Sequence, residues 1–175
     1  MDIDSRINDT AEQLFDHNGF NATGMSRLIK MTGLSSRTVY KHVAGKNTLV
    51  ARVLAERHAR FFAAMCFDDV DRLFTGLSDW TSREGARGCL FFRLQAETGG
   101  QVEAIETAVS AYHAELHARV TELVTATLGH ADSLVTDQIL ALFEGATTAA
   151  TYRGPAVMDA ARAGAYRLLD SKPAR

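Results

Sequence analysis

Residues 32–46 read TGLSSRTVYKHVAGK. Gly33 follows the apolar end of one helix, and Ser35 or Ser36 can open the next, because a serine oxygen accepts one of the free first-turn N–H groups. Val39 and Val43 lie four apart and share one face of that helix, which reaches about His42 before Gly45 breaks it. Two short helices joined by a Gly-containing turn, the second polar and basic, meet the requirements of a helix-turn-helix reader of DNA. An α-helix fits the major groove and its first turn comes nearest the base edges. Ser36, Arg37 and Thr38 occupy that turn; Arg37 could pair bidentately with guanine or take a phosphate. Tyr40, Lys41 and His42 suit phosphate or thymine-methyl contacts further along. Lys46, at the start of the following helix, adds its charge to free N–H groups that favour an anion.

The charge distribution agrees. From residue 24 to 60 there are eight Lys/Arg against one acid, Glu56, whereas residues 61–175 hold ten Lys/Arg against fifteen acids. The basic stretch attracts polyanions, and the acidic remainder limits indiscriminate association. No apolar run is long enough for a membrane span, and the polar start MDIDSRINDT is unlike a secretory signal, so a cytoplasmic protein that does not enter a membrane is expected. Two cysteines without a CxxC spacing argue against a disulfide framework or a cysteine zinc site.

Outward from the opening stretch the pattern is helical nearly throughout. Ile3, Ile7, Ala11, Leu14 and Phe15 predict a helix over 4–17, stopped by Asn18-Gly19. Thr23 is the expected cap of the short second helix. A fourth helix runs from Asn47 to about Met65, followed by helices over about 69–82, 89–97, 105–128, 132–152 and 155–169, the last with Pro155 as its first helical residue. The expectation is an all-α protein of about nine helices with no strand, divided into a DNA-binding domain over 1–46 and a helical domain over 47–175.

Residues 7–54, with Phe15, Gly19, Thr23, Gly33, Thr38, Tyr40, His42, Lys46 and Leu49 at matching spacing, resemble the tetracycline-repressor (TetR) family of transcriptional regulators. The resemblance implies a homodimer with an N-terminal three-helix DNA-binding domain and a larger ligand-sensing and dimerisation domain. Carried over by position, Thr23 and Lys46 would contact phosphate, Tyr40 and His42 the backbone or a base, and Ser36 to Thr38 the bases. With Ser35 and Lys41 these make the candidate DNA-binding set. Arginine at 37, valine at 43 and glycine at 24 depart from the family's common residues.

In the family, the helices that here carry Phe61, Phe62, Met65, Phe74, Trp80, Cys89, Phe92 and Tyr112 surround a ligand cavity. These are the candidate ligand-binding residues for an apolar or amphipathic effector, with Arg93, Gln95, Glu97 and His113 as polar groups beside them; each aromatic could equally be plain core. His113 and His117 share a helix face at a spacing that suits zinc, but without HExxH they read as structural or surface histidines. No catalytic, metal or cofactor motif is found. Small residues at 145, 146, 149, 150, 156, 160, 161 and 163–165 allow close helix packing, which in the family pairs two subunits. The expected function is a repressor bound as a homodimer to a palindromic operator in double-stranded DNA and released by a small molecule. Alternatives are a regulator of the same fold without a small-molecule effector and, on much thinner grounds, a helical enzyme.

Overall fold

The structure, a computed structural model, describes residues 2–170. Among the described residues there are nine helices and no strand: α1 Ile3–Asn18, α2 Met25–Thr32, α3 Ser36–His42, α4 Lys46–Ala64, α5 Val70–Glu84, α6 Leu90–Thr98, α7 Glu103–Leu128, α8 Ser133–Arg153 and α9 Val157–Asp170. Four of them begin on a side chain that accepts a first-turn amide: Asp2 for α1, Ser35 for α3, Asp69 for α5 and Asp132 for α8. Gly33, in the left-handed region at φ 64°, ends α2 and makes the turn into α3, a conformation open to glycine at little cost.

Two sequence expectations about helix starts are corrected. Gly24, not Thr23, is the N-cap of α2, and no side chain caps it. Pro155 lies in a turn ahead of α9, which starts at Val157, so it does not take a first helical position.

Contacts divide the chain into two compact units, one of residues up to 59 together with 90–112, the other of 60–89 together with the residues from 113 onward. In the first unit α1 packs on α2, and Ile7, Ala11, Phe15, Leu28, Val39, Leu49 and Val53 are fully or almost fully buried. Phe91 stacks on Tyr112 with ring centroids 4.4 Å apart, and His58 meets both rings edge-on. Arg57 and Glu12 form an almost fully buried ion pair at 2.7 Å.

In the second unit α5, α8 and α9 pack together. Its centre is aromatic: Phe61 meets Trp80 edge-on at 5.2 Å and Phe143 at 6.4 Å, and Phe74 lies 6.4 Å from Phe143. Gly164 lets α9 close on α8, since a Cβ there would come within 3.3 Å of Leu142. The small residues split by face. Ala146, Ala150, Ala161 and Ala165 are buried within the chain, whereas Gly145, Ala156, Ala160 and Ala163 are exposed.

Candidate nucleic-acid interface

Helix α3 is held by one fully buried residue, Val39, so the rest of its two turns is free to present side chains. Ser35, Ser36, Arg37, Tyr40 and Lys41 are exposed, Tyr40 at 53%, and Thr38 and His42 are half-buried. Ser35 spends its oxygen on capping: it accepts from the Thr38 amide at 3.1 Å and stands 2.8 Å from the Thr38 hydroxyl. Ser36, Arg37, Tyr40 and Lys41 are left facing outward. On the preceding helix, Arg27 and Lys30 are exposed as well. This is a compact cationic surface on a helix short enough to lie in one major groove.

His42 and Lys46 are each engaged inside the protein. His42 Nδ1 donates to Asp4 at 3.1 Å, and Arg52 donates to the other oxygen of the same carboxylate at 2.8 Å. Lys46 lies over the ring of Phe20, its ammonium 4.0 Å from the centroid. Burial pushes the Lys46 ammonium below the ordinary lysine range, while the negative charge of Glu97 acts in the opposite sense.

Thr23 is placed differently from the phosphate contact expected of it. It is 1% exposed and donates its hydroxyl inward, to the carbonyl of Gly19 at 2.7 Å and that of Leu14 at 3.3 Å. Its hydroxyl bonds the end of α1 to the turn that follows, and so braces the turn rather than facing solvent.

The eight candidate ligand residues fall in both units, Phe92 and Tyr112 in the first and the other six in the second. Phe61, Phe74 and Trp80 belong to the closed aromatic centre of the second unit, Tyr112 to the stack with Phe91, and Phe92 is 58% exposed. Cys89 is half-buried. Only Phe62 and Met65 border an open groove of about 510 Å³ in the second unit, whose other walls include Phe67, Arg119, Glu122 and Leu123. The polar groups expected beside the ligand are occupied elsewhere. Arg93 binds Asp16, Gln95 binds Glu106 and Glu97 binds the turn after α1, all within the first unit, to which α6 belongs. His113 Nε2 stands 3.9 Å from Glu144, whose carboxyl is pushed up by burial and drawn back by that histidine. Asp4, Arg52 and Glu97 as partners of this region were missed in the sequence, since each acts from a distant position in the chain.

Residues 7–53 match the family model described as bacterial regulatory proteins, tetR family. No curated protein matches the chain. Among solved structures it is similar to SCO4454, a TetR-family transcriptional regulator from Streptomyces coelicolor, at 22% identity and TM-score 0.81 over 94% of this chain and 93% of that one. A TetR-family regulator from Agrobacterium tumefaciens matches at 16% identity and TM-score 0.80, covering 94% and 96%. The reduced form of NemR from E. coli matches at 19% identity and TM-score 0.76, covering 98% of each chain. At these identities the likeness to solved structures is one of fold, which the N-terminal sequence match complements. Residues 7–53 thus carry the N-terminal sequence of the tetR family of bacterial regulatory proteins, and the chain as a whole has the fold of TetR-family regulators.

Proposed function

We propose that the protein is a repressor that holds a palindromic operator as a homodimer in the cytoplasm and releases it when a small molecule binds the helical domain over 47–175. The observation that carries the DNA contact is the α3 surface: Arg37 and Lys41 exposed on a short helix whose single buried anchor, Val39, fixes its rotation. In this reading Arg37, Ser36 and Thr38 reach base edges, and Tyr40, Lys41, His42 and Lys46 take the backbone. Dimerisation falls to the exposed face of α8 and α9, where Leu134, Gly145 and Tyr152 lie on one helix and Ala160, Ala163 and Tyr166 on the other. Exposed apolar and small residues on two packed helices are what association can cover. The groove bordered by Phe62, Met65 and Leu123, with Arg119 and Glu122 at its rim, suits an amphipathic effector. Release follows when the effector binds the DNA-incompetent state more tightly. The test is selection of bound duplexes from a random pool. Enrichment of an inverted repeat supports the reading, and a pool that stays random after repeated rounds overturns it.

A further inference from the structure

We propose that Glu97 is a positioning residue for DNA binding: from α6 its carboxylate fixes the backbone of the turn between α1 and α2, and through Phe20 fixes Lys46 at the DNA surface. One carboxylate oxygen accepts from the Phe20 amide at 2.8 Å, and the other from the Asn21 amide at 2.8 Å. Asn21 returns a bond from its side-chain amide to the Glu97 carbonyl at 3.2 Å. Two charge-assisted bonds to consecutive amides define the turn as no single contact could. The seat depends on Gly19, at φ 82°, because a Cβ at that position would stand 2.5 Å from the carboxylate.

The turn is connected to the DNA-facing surface by Phe20. Its ring is almost fully buried, lies 5.7 Å from Phe15, and carries the Lys46 ammonium on its face. Glu97 is itself steadied one helical turn away, where Arg93 donates to a carboxylate oxygen of Asp16 at 2.8 Å and to the Asp16 carbonyl at 2.5 Å. Residues 93 and 97 share a face of α6, so that face grips the end of α1 and the turn after it at two points. All of these residues lie in the first unit.

A negative charge beside a phosphate-binding lysine opposes DNA by charge alone, so charge and position predict opposite effects of its removal. The experiment compares wild type with Glu97→Ala and Glu97→Gln in binding a selected operator duplex and a random duplex, with amide exchange followed on the same proteins. Positioning of a backbone-gripping lysine predicts that Glu97→Ala weakens operator and random duplexes alike, by about tenfold, equivalent to about 1.4 kcal/mol. Glu97→Gln, which keeps one acceptor oxygen, recovers part of the loss. The Phe20 and Asn21 amides exchange faster in the alanine variant, with the buried amides of α1 and α3 still protected. Unchanged or tighter binding of either duplex, or loss of protection throughout α1 and α3, overturns the proposal. It rests on the DNA-binding reading: wild type that retains no duplex would sink both, whereas normal binding by wild type and variant alike sinks this one only.

Discussion

His42, in the last turn of α3, and Asp4, in the first turn of α1, stand 3.1 Å apart from Nδ1 to a carboxylate oxygen, tying the end of the reading helix to the start of the chain. The hydrogen bond from His42, and then that from Arg52 with the charges of both, outweighs desolvation and holds the Asp4 carboxyl below the ordinary aspartate range. A carboxyl whose pKa is depressed in the folded state stabilises that state above its unfolded pKa. The contribution is lost as the pH falls through the depressed folded value. The unfolding midpoint of wild type should therefore exceed that of Asp4→Asn at neutral pH, and the gap should close as the pH drops below the ordinary value of 3.8. Urea titrations across that range check this. A gap that persists far below it contradicts the assignment.

The Arg57–Glu12 pair is almost fully buried, at 6% and 8% exposure, and removal of one partner breaks an ion pair held away from water. Glu12→Ala should destabilise the protein by about 3–5 kcal/mol. Denaturant unfolding measures it, and a loss below about 1 kcal/mol, the range of an exposed pair, contradicts the burial argument.

On α3, Arg37→Ala and Lys41→Ala separate reading from gripping. If Arg37 pairs with guanine, its loss costs about 1–3 kcal/mol and relaxes preference at one base pair, whereas loss of Lys41 weakens all duplexes alike and lowers the salt slope by about one. Titrations of operator and random duplexes at several salt concentrations distinguish the two. Equal loss on every sequence moves Arg37 to the backbone.

The small residues of α8 and α9 sort into two classes with different consequences. Gly145 has open space around its Cα, so Gly145→Glu should leave a helical protein that sediments as a monomer and binds operator poorly. Ala161 is 7% exposed within the chain itself, and Ala161→Glu should lower the melting temperature before it affects association. Sedimentation and circular dichroism on both variants test the division. A dimeric Gly145→Glu protein would place the subunit contact on another face.

For the groove, Ala126→Trp fills space at an exposed wall position. It should abolish the thermal shift given by an effector found in a ligand screen, while operator affinity in the absence of effector stays within about twofold, as expected of a surface change outside the unit that carries α3. Normal effector binding by this variant would move the site elsewhere.

The order of helices and the exposed face of α3 were legible in the sequence because local signals determine them. Val39 and Val43 set the buried face of α3, Gly33 the turn, and Ser35 the cap, all within a few residues. Thr23 misled because its hydroxyl has two competing uses at the same place in the chain. In the structure that hydroxyl bonds inward to the Gly19 and Leu14 carbonyls and does not cap α2. Glu97 read as a pocket residue because apolar neighbours surround it in sequence, yet its partners lie 76 and 77 positions away. The aromatics of the second half were legible as buried but not as core or cavity wall, since periodicity reports a face and not what covers it.

The central claim is that the α3 surface docks in the major groove of DNA, and hydroxyl-radical and base-methylation footprinting of a selected operator tests it most directly. The account predicts two protected segments related by a two-fold axis, with centres about 10 base pairs or a multiple apart, guanine N7 shielded in each, and that shielding lost in Arg37→Ala. Protection confined to the minor groove, or guanine shielding that survives the Arg37 substitution together with those at Ser36 and Lys41, would contradict it.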